Sequence, residues 1–520
     1  MSRFVALLAG TVLLCAAAPV TATPQWVRLA TTTDASNSMR VAWTTIYGAP
    51  ETNVKYGTVK GAYPMSVKGQ MTYISSTLGV TSEALLTALK PDTTYYYRVG
   101  GNVGGWSPEY SFRTGPPASR YCGKLSVAVF GDSRAESWEG DKGVSNRWAP
   151  LVLAALKAHQ PQVLMHGGDI VYDGTQQKQW FNHVKATSAF SPLVPIMYTL
   201  GNHDDGPGAG DKANYNALLN LPRADKALGG SGTEDYYYFT VGNAIFLVLS
   251  TETYSGGSPK FKNQADWMDR VLTKNPKRWK FAIMHRPIYT HRIGIFGLDI
   301  SHPPNEAGHN AAFVPVFNKH HVDIVFGSHN HFYERFAPSN CKSAASTKPC
   351  PVSSPAKGTV YITTGGAGAF PLVCPLLCPG PTSSTRPAAS SDHHYIILQI
   401  DDHKLSLKAI NASGKTIDSY AITKSVPNPD PCKMPPPPDA GPPPDSAGPV
   451  ADVSTLPDLQ QAPDSAAPTG DSGQGIESTQ EGCNCRLGRG GAGPAPAGTL
   501  LVLLALLALL ALGLRGRRIS

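Results

Sequence analysis

Leu125-Ser-Val-Ala-Val-Phe-Gly-Asp132 and Val163-Leu-Met-His-Gly-Gly-Asp-Ile-Val-Tyr172 decide the fold. Each is an apolar run closed by glycine and then aspartate. Unbroken apolar runs of this length predict buried strands. Between them, Trp148 to His159 reads as a helix. Strand, helix and strand at this spacing form a parallel βαβ unit. Ligands in such folds gather at the carboxyl ends of the strands, and the polar residues lie there.

Working outward, five polar clusters follow predicted strands. Asp132 follows the first. Asp169 and Tyr172 follow the second. Asn202 and His203, in Gly201-Asn-His-Asp204, follow Val194 to Leu200. His285 ends Phe281-Ala-Ile-Met284. His329 and His331, in Gly327-Ser-His-Asn-His331, follow Val322 to Phe326. Carboxylates and imidazoles are ligands of intermediate metals. A carboxylate can bridge two metals, and a metal pair can hold a phosphoryl group and the attacking oxygen together. Taken singly, a Gly-Asp pair after a strand reads as a turn and a strand-end histidine as packing. Five such clusters in this order read as a metal centre.

The order Gly-Asp, Gly-Asp-x-x-Tyr, Gly-Asn-His, strand-terminal His and His-x-His resembles the calcineurin-like metallophosphoesterases. Gly168-Asp-Ile-Val-Tyr172, Met284-His-Arg-Pro-Ile-Tyr289 and His329-Asn-His-Phe-Tyr-Glu-Arg335 resemble the purple acid phosphatases among them. The resemblance covers about Pro24 to Lys424. It implies an α/β fold: a four-layer α/β/β/α metallophosphoesterase sandwich preceded by an all-β fibronectin III-like sandwich. It also implies Fe(III) held by Asp132, Tyr172 and His331, and a divalent metal, Fe(II), Zn(II) or Mn(II), held by Asn202, His285 and His329. Asp169 would bridge the two. A metal-bound hydroxide would attack a phosphate monoester in line, with an acid optimum. His203 would contact phosphate or protonate the leaving group, and His291 and His302 are the loop candidates for that protonation.

The chain departs from the family pattern in three places. Arg134 stands where glycine is usual, two residues after Asp132; it reads either as a phosphate clamp or as a surface arginine. One extra residue separates Gly327 from His329. Asp204 replaces a common Glu. Gly365-Gly-Ala-Gly368 reads as a tight turn near the metals and only weakly as a phosphate cradle. His393 and His394 read as structural.

Residues 23–117 carry short alternating segments, among them Met39 to Trp43, Tyr95 to Val99 and Tyr110 to Phe112, divided by turn residues. That pattern predicts a β-sandwich, with Trp43 and Tyr95 in its core. The phosphoesterase domain runs over 122–424.

Residues 1–22 read as a secretory signal peptide, with an apolar run from Phe4 and cleavage after Ala22. Residues 425–481, rich in Pro, Asp, Ser and Gly, read as an unfolded, extended stalk. Residues 482–520 join Cys483-Asn-Cys485, the apolar run Leu500 to Leu514 and an Arg515, Arg517, Arg518 cluster. The run just spans a bilayer, and the whole resembles a myxobacterial-type C-terminal sorting signal. The tail would be the contact with the membrane, leaving the protein exported and on the outer surface or secreted. Six further cysteines allow 15 pairings. The economical set is Cys341–Cys350, Cys374–Cys378 and Cys122–Cys432.

The charge of +8 is spread along the 520 residues without a basic stripe, which argues against nucleic-acid recognition. Only 16% of residues are charged, against 51 glycines and 45 prolines, which excludes a coiled coil. The leading expectation is a surface or secreted acid phosphatase acting on a small phosphate ester. A phosphodiesterase or nucleotidase on the same centre is the second. A non-catalytic surface adhesion protein is the third, disfavoured by the complete ligand set.

Overall fold

A computed structural model of the chain describes residues 23–432, apart from 47–50, 76–78, 140–141, 205–213, 253–260, 292–293, 296–297, 300–306, 344–345, 347 and 371–381. The signal and tail segments lie outside the described residues, as do His302, Cys374, Cys378 and positions 433–481 of the expected stalk; residues 425–432, read as the start of that stalk, are described and are fastened to the domain through Ser425 and the Cys122–Cys432 bond. No helix among the described residues is long and apolar enough to cross a membrane.

The first domain is an all-β sandwich. One sheet orders Gln25–Thr31, Met39–Thr45, Gly79–Leu86 and Gln70–Ser75. The other orders Met65–Lys68, Asn53–Gly57, Thr94–Gly101 and Gly105–Trp106, with Tyr110–Arg113 also on Thr94–Gly101. Val41, Trp43, Val54, Tyr95, Tyr97 and Phe112 fill the space between them, so Trp43 and Tyr95 are core residues as read. The sequence reading missed Gly79–Leu86. Thr81 and Ser82 are both buried there, so the strand lacks the polar-out alternation that marks a half-solvated strand.

This sandwich is bonded to the domain that follows. Leu29 N–H donates to the Ser191 carbonyl at 2.9 Å, Arg28 Nε to the Leu218 carbonyl at 2.5 Å, and the Tyr97 hydroxyl to the Pro192 carbonyl at 2.8 Å.

The second domain has two large sheets. The first orders Ile196–Tyr198, Val163–His166, Lys124–Phe130, His394–Asp401, Lys404–Asn411 and Thr416–Thr423. Its first three strands are parallel and its last three form an antiparallel meander. The second sheet orders Tyr237–Val241, Ala244–Val248, Trp279–Ile283, Ile324–Gly327, Val360–Thr364, Tyr333–Arg335 and Ala388–Ser390. Ala244–Val248 through Val360–Thr364 run parallel.

The sheets face each other across one core that takes Val127, Val129 and Leu398 from the first and Phe246, Phe281 and Phe326 from the second. Alternate residues of the second sheet, Ile245, Leu247, Ala282 and Val325, pack outward on helices Phe261–Lys274 and Ala307–His320, as period-two alternation requires. Helix Trp148–His159 buries Trp148, Leu151, Val152, Ala155 and Leu156, a stripe of helical period. Trp148 meets Phe130 of the first sheet edge to face at 5.1 Å. The layers are therefore α/β/β/α.

The helix Trp148–His159 and strand Val163–His166 fall where the sequence placed them. The strand expected from Val194 is reduced to Ile196–Tyr198, because Pro195 has no N–H to give to a ladder. Disulfides join Cys122 to Cys432 and Cys341 to Cys350.

Candidate metal centre

In the parallel pairs, Phe130 lies opposite His166, His166 opposite Tyr198, and Phe326 opposite Ile283 and Ile362. Within each sheet the strand ends are therefore level, and the loops that follow them converge. The turns are sharp: Asp132, Asp169 and His329 all adopt left-handed backbone, with φ of 58°, 52° and 64°. Such conformations are costly for non-glycine residues and concentrate at functional sites. A Cβ on Gly131 would stand 2.2 Å from Ser328 Oγ and 2.3 Å from the Thr364 carbonyl. Only glycine lets the two sheets close up here.

Hydrogen bonds tie the loops together. Asp132 N–H donates to the Gly168 carbonyl at 3.0 Å, and His329 N–H to Asp132 Oδ2 at 3.1 Å. His203 N–H donates to Asp169 Oδ1 at 3.0 Å. Asp204 accepts from Ile170, Val171 and Gly201 N–H at 2.8, 3.2 and 2.8 Å. It thus fastens the second loop to the third, a role the sequence reading, which saw only a replaced Glu, did not foresee.

Two buried groups of candidate ligands result. Asp132, Asp169 and His331 form one; Asp169, His285 and His329 form the other. Within each, one donor atom per residue lies within 4.8 Å of the others. Asp169 belongs to both.

The donor set fits cations. His285 Nδ1 donates to the Gly167 carbonyl at 2.9 Å, which leaves Nε2 as a lone pair. Around that lone pair stand Asn202 Oδ1 at 3.0 Å, His329 Nδ1 at 3.1 Å and Asp169 Oδ1 at 3.2 Å. A proton on His329 satisfies one of these contacts and not the set, whereas a cation satisfies them all. On the other side, His331 Nδ1 donates to the Phe370 carbonyl at 2.7 Å and Nε2 faces Asp132 Oδ1 at 3.6 Å. Asp132 Oδ1 is buried without a hydrogen-bond partner, an arrangement that calls for an ion.

Electrostatics point the same way. Burial, reinforced by the Asp169 carboxylate, pushes Asp132 well above the usual carboxylate range. Burial also opposes ionisation of Asp169, but His285, His203, Arg134 and His329 together outweigh it and hold the group ionised.

Arg134 is buried, so the surface alternative fails. Its Nε lies 3.4 Å from Asp169 Oδ2, one terminal nitrogen 3.1 Å from Glu136 Oε2, and the other 3.4 Å from His331 Nε2. The guanidinium also covers the Tyr172 ring at 5.7 Å. The Tyr172 ring lies 5.3 Å from that of His203, whose Nδ1 donates to the Tyr172 carbonyl at 2.6 Å. Tyr172 and His203 thus share the rim of the cluster.

His291 is half-buried, and its N–H donates to both Glu334 oxygens at 3.1 and 3.2 Å. Burial, then Arg386, lowers its imidazole from the ordinary value. Glu334 is fully buried, accepts from Thr290 Oγ1 at 2.6 Å and pairs with Arg386 at 3.3 Å. In the sequence Glu334 has no role beyond its place in the His329–Arg335 motif; its charge between Tyr333 and Arg335 in a strand is the signal that marks it. Gly365–Gly368 form a turn against the centre: Ala367 N–H reaches the Gly131 carbonyl and Ala369 N–H that of Asp132. His394 is buried with Nε2 3.0 Å from Thr364 Oγ1, in line with a structural role.

Residues 24–114 match the family described as Purple acid Phosphatase, N-terminal domain, and residues 125–333 match the Calcineurin-like phosphoesterase family. Purple acid phosphatase 21 of Arabidopsis thaliana is 28% identical over 341 residues, 64% of this chain and 68% of that protein. Phosphoenolpyruvate phosphatase of Allium cepa is 26% identical over 374 residues, 66% of this chain and 70% of that protein. A solved purple acid phosphatase from yellow lupin (Lupinus luteus) seeds has the same fold, with a TM-score of 0.62 at 20% identity over 77% of this chain and 74% of that one. A purple acid phosphatase N-terminal domain joined to a calcineurin-like phosphoesterase domain, with acid phosphatases for homologues, makes this chain a metallophosphoesterase hydrolase of the acid phosphatase type.

Proposed function

We propose that the chain is an exported phosphatase that hydrolyses phosphate monoesters at a two-metal centre. The observation that carries this is Asp169, the carboxylate that, among the described residues, is common to two buried ligand groups. By resemblance, Fe(III) would take Asp132, Asp169, Tyr172 and His331, and Fe(II), Zn(II) or Mn(II) would take Asp169, Asn202, His285 and His329. When bound, such a pair supplies Lewis-acid charge for phosphoryl oxygens and acidity for the attacking water.

The protein's own groups do the rest. Arg134, fixed by Glu136 and Asp169, adds a positive charge where phosphoryl oxygens would gather. His203 holds its Nδ1 proton on the Tyr172 carbonyl, which leaves Nε2 to exchange a proton with the ester oxygen. His291 is the second candidate for that step, and Glu334 holds its backbone. Two described disulfides suit an oxidising compartment, and they support the export read from residues 1–22 and the surface sorting read from residues 482–520.

The test is phosphate release by metal-loaded protein from a monoester, a diester and ATP, beside Asp169→Asn. Monoester turnover above the other two, lost together with metal in the variant, supports the proposal. Greater turnover of the diester or ATP moves the reading to a phosphodiesterase or nucleotidase. Bound metal with no turnover on any of the three leaves a surface protein without catalysis.

A further inference from the structure

Two aromatic side chains stand in solvent beside the first ligand group. Among the described residues, Trp138 and Phe370 are the exposed tryptophan and the exposed phenylalanine, at 68% and 47%. They touch edge to face, with ring centroids 5.7 Å apart and planes at 81°. Neither ring serves the core. An exposed aromatic pair is an unspent apolar surface, and such surfaces mark contact sites.

The backbone carrying the pair is tied to the reaction centre from two sides. The Phe370 carbonyl accepts from His331 Nδ1 at 2.7 Å, so Phe370 stands one imidazole ring away from the atoms facing Asp132 and Arg134. The Phe370 N–H donates to Glu136 Oε1 at 3.1 Å, and the other oxygen of Glu136 pairs with Arg134 at 3.1 Å. Trp138 lies on the short turn Ser137–Glu139 directly after Glu136. That turn is braced in its own right: Glu136 N–H donates to Glu139 Oε2 at 2.9 Å, and Glu139 Oε1 pairs with Arg147 at 2.9 Å. The rings are therefore placed at a set offset from wherever a phosphoryl group meets Arg134.

We propose that Trp138 and Phe370 form a subsite for a flat aromatic ring on the leaving group, so that the favoured substrates are phosphate monoesters of ring-bearing alcohols. This rests on the phosphomonoesterase reading above. Stacking on an exposed aromatic side chain is sequence-tolerant and needs no hydrogen-bond match. The ring can come from two sources, an aryl group close to the phosphate or a nucleobase farther off.

The experiment uses the full-length, metal-loaded protein with ethyl phosphate, benzyl phosphate and AMP. All three release an alkoxide, so leaving-group acidity does not confound the comparison. The wild type is expected to turn over one of the ring-bearing esters about tenfold better, in kcat/KM, than ethyl phosphate. Trp138→Ala is expected to erase that ratio mainly through KM, and Trp138→Phe to retain most of it. Preference for benzyl phosphate assigns a ring near the phosphate; preference for AMP assigns a nucleobase. Equal turnover of all three by the wild type, or an equal loss on all three in Trp138→Ala, overturns the subsite. No turnover of any ester sinks the phosphatase reading instead. In that event, quenching of tryptophan fluorescence by benzylphosphonate but not ethylphosphonate, absent in Trp138→Ala, still upholds the subsite, and no difference between the two overturns it.

Discussion

His285 Nε2 and Asn202 Oδ1 face each other at 3.0 Å, each presenting a lone pair, while the His285 proton sits on the far side against the Gly167 carbonyl. A contact of this kind repels until a cation enters. Asn202→Ala is therefore expected to weaken metal binding on the His285 side alone, and Asp169→Asn on both sides. Metal content per chain, measured after dialysis, separates the two variants. Losing a ligand is expected to lower kcat/KM on the order of a hundredfold or more.

Arg134 replaces a glycine expected from the family pattern, and its charge borders Asp169 and His331. Arg134→Gly is expected to reduce kcat/KM for phosphate esters about tenfold to a hundredfold, the range for losing a charge-assisted contact. Arg134→Lys, which keeps the charge without the fork, is expected to recover part of the loss. Unchanged kinetics in Arg134→Gly would remove Arg134 from the substrate site.

Tyr172 is the spectroscopic handle. Protein loaded with iron is expected to show a tyrosinate-to-Fe(III) charge-transfer band that Tyr172→Phe lacks. Colourless but active, metal-loaded protein would take Tyr172 out of the ligand set and reopen the choice of metal.

Glu334 and Arg386 form a buried pair, and Glu334 also accepts from the His291 N–H. Glu334→Gln removes the charge that faces the Arg386 guanidinium at 3.3 Å and is expected to cost about 3 kcal/mol in denaturant unfolding. Adding Arg386→Met should return much of that stability. A double variant as unstable as the single one would show that the pair matters by packing rather than charge.

His183 is buried against Tyr198, at 3.0 Å from its hydroxyl. Burial, then Arg28, lowers its imidazole to about 3. The folded protein therefore binds fewer protons than the unfolded chain between about pH 6.5 and 3. Stability from this group is full above that window and is lost as pH falls through it. His183→Gln is expected to flatten the acid limb of a Tm-versus-pH curve, a relevant property for an enzyme expected to work in acid.

Asp132, Asp169, Asn202 and His329 were legible because each follows an apolar strand through glycine, and His285 because it directly ends one; chain direction carries the strand ends of each parallel run to one side of its sheet. His285, His329 and His331 stand in the two ligand groups, whereas a ligand role for Tyr172 rests on the family resemblance. What joins segments far apart was not legible. Nothing near Glu334 announces Arg386, and nothing near Phe370 announces His331. Arg134 reads equally as surface or site until the Glu136 and Asp169 carboxylates appear beside it. Gly79–Leu86 escaped because the polar Thr81 and Ser82 are both buried while the apolar Leu85 is exposed, so polarity does not alternate along it. Asp204 was visible but its task was not, since its three backbone donors come from two different loops.

The bond between Cys122 and Cys432 spans 310 residues of sequence and encloses the whole phosphoesterase domain. It has a mechanical meaning if the protein is held at its C-terminal end, as proposed. The last strand, Thr416–Thr423, is an edge of its sheet, and a tug on the chain beyond it would otherwise peel the meander strand by strand like a zip. With the bond in place, tension arriving at Cys432 is handed across to Cys122 and bypasses all three meander strands. Such a domain can drag against flow, or be pulled by whatever holds it, while its metal-binding loops carry no load.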